Sequence, residues 1–537
     1  MLESPLTTNR PASLALLMSE SNQAATRTDR AGLTPAAADE IVADSVVPHG
    51  TLPPLRYRDL PPPVPIWRML GPSVILAGMA LGSGEFVIWP YLTYKTGFGF
   101  FWACLVGVTL QYFINMEITR WSLATGESAM TGFCRLARGW AAVFLLLNVV
   151  PWMIPAWAKG AAQIVSWLIW GATLDEAGHV TSPYVTELAM AGLVLCGLIL
   201  TAGPVLYNTV ERIQMLLVTS IVGIVIVLAL LLVRGDALAA MAAGAVAFEI
   251  PATSADVSVA MLLGALAFAG AGGTLNLGQS NYVKDKGYGM GRYVGRITSP
   301  ITGQEEPIVE IGYFFPDTPE NRRRWRHWWW AAGWEHLISF WLTCVVCLVL
   351  LTLMSYSIFH RADGMLDAQA SADLKDMAFI WGEAREIGAR LGPPAELLFL
   401  VMGVAILLTT EFGVLDATSR ISTDIVKVNW LRENTRWGES RLYYLFLWLT
   451  IGLGIAILWI GTERVQGSLV LFELTSAMNG GVMFLYCGTL LWLNSRSLPV
   501  GVRMAWWRRV ILASAVLFFG CFAVWAAADV LGLIGRA

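Results

Sequence analysis

Long apolar stretches recur along almost the whole chain of 537 residues, and each is close to the roughly 20 residues that cross the hydrocarbon core of a bilayer as a helix. Only 14% of the residues are charged, whereas a water-soluble protein of this size would carry about a quarter. The mean hydropathy of +0.59 agrees with this difference. We therefore predict an all-α polytopic membrane protein that is embedded in the lipid bilayer.

Eleven stretches are long and apolar enough to be predicted as transmembrane helices. Their approximate bounds are 70–95, 98–120, 140–172, 185–203, 210–233, 258–280, 328–356, 394–415, 442–462, 468–494 and 509–533. The first 66 residues are rich in Ser, Thr, Ala and Pro and have no apolar period, so they cannot bury enough surface to fold. We predict that residues 1–66 form a disordered tail and that residues 67–537 form the transmembrane domain.

Lys and Arg residues predict the orientation, because cytoplasmic loops of membrane proteins carry an excess of them. The loop 281–327 is rich in both, whereas the loop 173–184 has neither. The predicted protein is thus a multi-pass cell-membrane protein with a cytoplasmic N-terminus, a cytoplasmic 281–327 loop and an extracytoplasmic 357–393 loop. The run ENRRRWRHWWW directly precedes span seven, so an interfacial anchor explains it and no nucleic-acid partner is predicted.

The first span contains the sequence LGSGEF, in which Gly82, Ser83 and Gly84 are followed at once by Glu85. Small residues in a span have an ordinary explanation, because they allow two helices to pack closely. An unwound stretch is the alternative, and it is tolerated in a membrane only where protein or a water-filled cavity satisfies the backbone. The adjacent carboxylate favours the second explanation, because an ionisable group inside a span usually has a function.

The sixth span shows the same pattern in MLLGALAFAGAGGTLNLGQSNYVKDKG. Here Gly270, Gly272 and Gly273 precede the polar residues Thr274 and Asn276. Interruptions in spans one and six, each the first of a five-span unit, are typical of transporters built from inverted repeats. In such proteins the ends of half-helices and the freed carbonyl groups form a binding site near the middle of the membrane. We predict a secondary transporter of a small ion or molecule.

The order of several short motifs resembles the natural resistance-associated macrophage protein (NRAMP) family of divalent-metal transporters. The residues that carry this resemblance are Gly71-Pro72, Gln111, Arg120, Thr125-Gly126, Cys134-Arg135, Tyr207 and Glu211-Arg212. The resemblance covers residues 68–285 and continues afterwards only as a similar topology. It implies a leucine-transporter-type fold, with spans one to five and six to ten as the inverted repeats and with broken helices one and six.

The resemblance also implies a metal site, but this chain departs from it. The family's Asp-Pro-Gly-Asn in span one falls on Gly82 to Glu85, and its Met-Pro-His in span six falls on Thr274 to Asn276. The metal-binding Asp, the thioether and the imidazole are therefore absent. The remaining ligands are oxygens, which favour a hard or partly hydrated cation such as Mg²⁺ or Mn²⁺. A sodium-linked transporter of a small, amino-acid-like solute is the alternative.

Two sets of residues are predicted to matter for transport. The substrate or ion is predicted to contact Gly82, Ser83, Glu85, Gly272, Gly273, Thr274 and Asn276, with Glu85 and Asn276 as metal ligands. A second set could act as a relay or line a vestibule, or could be structural: Glu411, Asp416, Glu473 and Asn479. Span three has no carboxylate, so tight proton coupling is not expected unless Glu411, Asp416 or Glu473 provides it.

Enzymatic chemistry is not predicted. The sequence has no convergent nucleophile and base, and none of the five His residues was expected deep in an apolar span. The glycine-rich GYGMGRYVG lacks the Lys-Ser/Thr ending of a phosphate-binding loop. No cofactor is predicted, and the oligomeric state is left open.

Overall fold

The computed structural model describes residues 40–203, 205–254, 256–297, 311–367, 374–461, 467–531 and 533. Ten helices in these ranges are long and apolar enough to cross a membrane. They are Pro72–Thr96, Phe101–Thr125, Gly139–Trp170, Val185–Ala202, Leu206–Leu232, Pro319–Phe359, Pro393–Trp430, Glu439–Ile460, Ser468–Arg496 and Trp506–Val530. The sixth predicted span is present as two shorter helices, Val259–Ala267 and Leu275–Lys286. We number these eleven spans in chain order.

Successive spans run in opposite directions, so the connecting loops lie at two ends of the bundle. A cavity of about 920 Å³ lies at the end formed by the loops after spans three, five, seven and nine, and we call this the vestibule end. The other end, which we call the closed end, contains the start of span one and the loops after spans two, four, six, eight and ten. The described parts of the 281–327 and 357–393 loops thus lie at opposite ends, and the side of the membrane that each loop faces stays a prediction.

Part of the predicted N-terminal tail is ordered, which corrects the prediction for residues 40–66. Val42, Leu55 and Leu60 are completely buried at the closed end. The strand Arg56–Tyr57 pairs in parallel with the strand Tyr313–Phe314. Apolar side chains spaced along this segment therefore pack onto the transmembrane domain, although they are too few to form a core of their own. Residues 1–39 lie outside the described part of the chain.

Span six is interrupted at residues 268–274, as predicted from its glycines. Gly272 and Gly273 have φ angles of 71° and 51°, a left-handed conformation that a residue with a Cβ adopts only with strain. The first half-helix is capped by Ser258, whose hydroxyl accepts a hydrogen bond from the Met261 amide at 2.9 Å. Two half-helix ends consequently meet in the interior of the bundle.

Span one differs from the prediction, because it is not unwound. The helix Pro72–Ala80 continues through a π-helical segment, Leu81–Ile88, into the helix Trp89–Thr96. Close packing requires its glycines instead: a Cβ on Gly84 would lie 1.4 Å from the Phe268 carbonyl oxygen. Gly84 therefore serves close helix packing, which is the ordinary explanation of a small residue in a span. The π-helical segment is where span one meets the break of span six.

Shorter elements complete the described part of the fold. Span three consists of the helices Gly139–Trp152 and Ala156–Trp170, which are separated at the prolines Pro151 and Pro155. Outside the spans, the helices are Ile66–Arg68, Ala129–Leu136, Gly235–Gly244, Gly289–Tyr293 and Ala378–Leu391. A second strand pair, Thr173–Leu174 with Val180–Thr181, is antiparallel and lies at the vestibule end.

Candidate functional site

The break of span six is held by a single side chain from span two, that of Gln111. Its amide nitrogen donates to the Ala267 carbonyl at 2.8 Å, at the end of the first half-helix. Its amide oxygen accepts hydrogen bonds from the Gly272 N–H at 3.2 Å and from the Asn276 side chain at 3.3 Å. Gln111 thus satisfies groups on both sides of the break, which buried backbone requires. The sequence pointed to Gln111 as part of a motif but not to this role.

Thr274 and Asn276 lie in the interior of the bundle, where the prediction places the site. The Thr274 hydroxyl donates to Asn148 Oδ1 and accepts from Trp152 Nε1, both at 2.7 Å. The Asn276 amide nitrogen donates to the Tyr486 hydroxyl at 3.0 Å. The structure therefore adds Asn148 and Trp152 of span three and Tyr486 of span ten to the predicted residues.

Two amide oxygens at this break have no hydrogen-bond donor among the described residues. They are Oδ1 of Asn276 and Oδ1 of Asn479, and both side chains are completely buried. The amide nitrogen of Asn479 is satisfied, because it donates to the Thr475 carbonyl at 2.9 Å. Gly273 packs directly against Asn479, since a Cβ there would lie 1.8 Å from Oδ1. Predicted residues from spans six and ten are thus brought together.

Glu85 lies elsewhere on span one. It is completely buried, and neither carboxylate oxygen has hydrogen-bonding geometry with a described residue. Its neighbours are the thiols of Cys104, Cys344 and Cys347, from spans two and seven. No group of three or more His, Cys, Asp or Glu in the described ranges is arranged to hold a metal ion. The structure therefore does not join the Glu85 carboxylate to the polar groups at the break, and the Ser83 side chain lies outside the described residues.

Asp416 belongs to a buried ion-pair cluster near the closed end. The Arg420 guanidinium donates to the Asp416 carboxylate at 2.9 Å and also forms an ion pair with Asp285 at the end of span six. Tyr282 and Tyr443 donate to the two oxygens of Asp416 at 3.0 and 2.8 Å. Asp416 is thus paired with Arg420 in the interior of the protein and not at the membrane interface. This cluster, the Arg420 cluster, joins spans six, eight and nine.

Glu411 and Glu473 occupy two different positions. Glu411 is buried and accepts a hydrogen bond from the Ala158 amide of span three at 3.2 Å. Glu473 lines the 920 Å³ cavity and accepts a hydrogen bond from the Ser258 hydroxyl. Ser258 caps span six, so Glu473 links span ten to the first half-helix of span six. Of the predicted second set, Glu473 is the residue that lines a vestibule.

The vestibule contains charged groups from several loops and spans. Lys159 of span three faces Asp376, which also caps span ten by accepting from the Leu469 amide at 2.5 Å. Asp376 lies in the loop before the helix Ala378–Leu391. Burial raises the pKa of the Asp376 carboxyl, and hydrogen bonds from the Leu469, Met377 and Ser468 amides oppose this rise.

A hydroxyl from span eight is inserted into the helix of span one. Thr410 Oγ1 accepts a hydrogen bond from the Gly82 N–H and donates to the Gly78 carbonyl, both at 3.1 Å. In a regular α-helix these two backbone groups would bond each other, since they are four residues apart. An inserted side chain of this kind is a recognised cause of local distortion in helices, and the π-helical segment begins within the bridged turn, at Leu81. Spans one and eight are therefore joined at this point.

Solved structures of a transporter have a similar arrangement of helices. A point mutant of the Eremococcus coleocola manganese transporter matches with a TM-score of 0.58 and 13% identity over 91% of both chains. The same transporter in complex with an aromatic bis-isothiourea substituted compound matches with a TM-score of 0.59 and 13% identity over 92% of both chains. The chain has a leucine-transporter-type fold. This confirms the predicted fold class, and identity at this level establishes the fold alone.

A further structure, MhsT in complex with L-phenylalanine, matches over 84% of this chain and 98% of that chain, with a TM-score of 0.48 and 15% identity. No family model matches the sequence. No curated protein sequence matches it either.

The inserted hydroxyl leads to a prediction about stability. Replacing Thr410 by valine keeps the shape of the side chain but leaves the Gly78 carbonyl and the Gly82 N–H without their partner. Each unsatisfied buried group costs about 1–3 kcal/mol. We expect Thr410→Val to lower the thermal unfolding midpoint of the purified protein in detergent, whereas Thr410→Ser, which keeps the hydroxyl, should lower it less. Equal midpoints for the valine and serine variants would contradict the bridging role.

Proposed function

We propose that this chain is a secondary transporter that carries a hard or partly hydrated cation, of the Mg²⁺ or Mn²⁺ class, through the break of span six. The observation that supports this most directly is that the buried amide oxygens of Asn276 and Asn479 have no donor in the part of the chain that the structure describes. Both amide nitrogens are already bonded within the protein, so the free groups are acceptors. A cation, or a water molecule bound to one, supplies the partner that an acceptor needs.

The chemistry of the break suits a hard ion. Its groups are the hydroxyls of Thr274 and Tyr486 and the amides of Asn276 and Asn479, all of which offer neutral oxygens. Mg²⁺ often keeps several of its water molecules in proteins, and such an ion needs acceptors for those waters more than direct carboxylate ligands. This requirement is compatible with a break that has no cluster of carboxylates.

The vestibule favours the approach of a cation. Its walls include four carboxylates and two lysines, namely Asp175, Asp256, Asp376, Glu473, Lys159 and Lys375, and Lys95 forms an ion pair with Asp256, which leaves an excess of one carboxylate. A cleft with an excess of one charge raises the local concentration of ions of the opposite charge. Electrostatic attraction therefore acts on a cation before it reaches the break.

Glu85 is proposed to act on the cation at a distance. Its carboxyl group is buried beside thiols, which are weak hydrogen-bond donors, so the group is neutral until a nearby cation favours its ionisation. Charges interact over a longer range in the interior of a protein than in water. Glu85 thus becomes the negative charge of span one when a cation is bound, while the residues of span six provide the contacts.

A second candidate is sodium-linked transport of a small organic solute that carries both an amine and a carboxylate. The observation that favours it is Lys159, which lies in the vestibule wall close to Asp376 and in the same cavity as Glu473. An ammonium group close to carboxylates could receive the two ends of such a solute.

Flux into proteoliposomes separates the two candidates. The purified protein would be assayed with Mg²⁺, Mn²⁺, Ca²⁺ and a panel of amino acids with and without Na⁺, with the internal pH recorded. We expect flux of Mg²⁺ or Mn²⁺ above that of empty liposomes. Asn276→Leu, which removes the free acceptor, and Glu85→Gln, which removes the charge, should each lower it by about tenfold, as for a lost interaction of roughly 1.4 kcal/mol.

Asn434→Leu is the matched control, because Asn434 lies on an exposed loop far along the chain from the break. It should retain the flux of the unmodified protein. Amino-acid flux that depends on Na⁺, without cation flux above the background, would overturn the first candidate in favour of the second. Unchanged cation flux in both Asn276→Leu and Glu85→Gln would overturn the assignment of the site.

A further inference from the structure

Three buried side chains form a hydrogen-bonded chain where span one begins. The Ser73 hydroxyl is hydrogen-bonded to the Glu335 carboxylate and lies 2.8 Å from His336 Nδ1. Glu335 and His336 belong to span seven and are 2% and 1% exposed, and Ser73 is completely buried. A histidine is therefore deep in a span, contrary to the expectation from the sequence. We call these three residues the Ser73 cluster.

The cluster connects three spans at the closed end. Glu335 caps the helix of span one, because its carboxylate accepts a hydrogen bond from the backbone amide of Ser73 at 3.3 Å. Gln279 of the second half-helix of span six donates to the Ser73 hydroxyl at 3.3 Å. A negative charge stabilises a helix N-terminus, so the charge of Glu335 holds the start of span one against span seven.

The hydrogen bonds of the cluster can be made in two ways, because the Ser73 hydroxyl has one proton and donates to only one neighbour. In the first, His336 Nδ1–H donates to Ser73 and Ser73 donates to a charged Glu335 carboxylate. In the second, a protonated Glu335 donates to Ser73, Ser73 donates to His336 Nδ1, and the histidine proton is on Nε2. Every hydrogen bond of the chain is kept, but its direction is reversed.

The second arrangement contains one proton more than the first, and the charge of the cluster changes from one negative to neutral. We propose that the Ser73 cluster is a proton-binding relay. A proton binds His336 Nε2, the nitrogen that has no partner among the described residues. The Nδ1 proton then passes to Ser73 Oγ as the Ser73 proton passes to Glu335. The proton thus enters at the histidine and neutralises the carboxylate that caps span one.

Other titratable groups surround the relay. Lys286 and Tyr288, which follow span six, and Tyr207 of span five face Glu335. Lys286 is paired with Glu211 of span five, so its positive charge is balanced nearby. Tyr112 of span two stacks on the His336 ring with centroids 5.5 Å apart. None of these side chains is placed between Glu335 and Ser73, where the proton moves.

Neutralising Glu335 weakens the cap, because hydrogen bonds to a charged acceptor are about twice as strong as those between neutral groups. The start of span one is then held less firmly at the closed end. This makes proton binding a means of loosening one end of the bundle. Any effect of this loosening on transport rests on the proposed function, whereas binding of the proton and loosening of the cap do not.

Hydrogen–deuterium exchange of the full-length protein tests the relay without any substrate. Exchange at residues 70–76 would be followed by mass spectrometry across pH 5–9 and corrected with a peptide of the same sequence. In the unmodified protein we expect corrected exchange to become about tenfold faster as the pH falls, which corresponds to a loss of about 1.4 kcal/mol. Glu335→Gln should exchange fast at every pH. Ser73→Ala, which keeps the cap but cuts the relay, should exchange slowly at every pH.

Glu386→Gln is the matched control, since Glu386 is a partly exposed carboxylate on the loop helix Ala378–Leu391. It should follow the unmodified protein. The relay would be overturned if exchange in the unmodified protein did not depend on pH. It would also be overturned if Ser73→Ala lost protection at low pH as the unmodified protein does. A protein that moves no solute in liposomes but shows the predicted exchange would refute the proposed function and leave the relay standing.

Discussion

Replacing Gly84 by alanine is expected to prevent the chain from reaching its native structure. The new Cβ would lie 1.4 Å from the carbonyl oxygen of Phe268 and 2.4 Å from its carbonyl carbon. Both are backbone atoms at the end of the first half-helix of span six, so no side-chain rotation relieves the clash. Overpacking of a protein interior typically costs about 1–3 kcal/mol, and a backbone clash places this variant at or above the top of that range.

The yield of monodisperse protein and its thermal unfolding midpoint would measure this effect. Gly223→Ala is the control, because Gly223 lies in the middle of span five and a Cβ there would meet nothing within 4 Å. It should behave like the unmodified protein or melt at a slightly higher temperature, since alanine favours a helix over glycine by about 1 kcal/mol. A Gly84→Ala protein that is as abundant and stable as Gly223→Ala would refute the close approach of spans one and six.

Replacing Arg420 by methionine is expected to destabilise the closed end strongly. Asp416 and Asp285 would then be buried near each other without their cation. Removing one partner of a buried ion pair costs about 3–5 kcal/mol, because the charge left behind is uncompensated. We expect a large fall in the thermal unfolding midpoint of Arg420→Met.

The triple variant Arg420→Met, Asp416→Asn, Asp285→Asn distinguishes the loss of the charge balance from the loss of the arginine side chain. It has no uncompensated charge at these positions, so most of the stability should return. A triple variant as unstable as Arg420→Met would mean that packing of the arginine, and not the charge balance, stabilises the cluster.

The positions of the spans could be predicted well from the sequence, but some of their ends could not. Span eight was expected to end near residue 415 and extends to Trp430, and span seven was expected from residue 328 and begins at Pro319. Both extensions carry charged residues, such as Asp416 and Arg420. Such residues lower the hydropathy of a segment, although those in the extension of span eight are buried against other parts of the protein.

The candidate site could be predicted only in part. Thr274 and Asn276 follow a run of glycines and were found for that reason. Their partners Gln111, Asn148 and Tyr486 lie far away along the chain, and each occurs as a single polar residue in an apolar stretch. Nothing in the local sequence distinguishes such a residue from one that bonds within its own helix.

The features that depend on neighbouring residues follow from the amino-acid sequence alone. A helix in lipid must satisfy its own backbone, and it needs about 20 apolar residues to cross the membrane, so the class, the number of spans and the glycine-rich break of span six follow from local composition. Packing of the spans is needed to show that Gly82 and Gly84 serve close helix contacts, that Glu85 lies beside thiols, and that Ser73, Glu335 and His336 meet. Hydrogen bonds and charges act over a few ångströms in space, and the chain brings those groups together only when the spans pack.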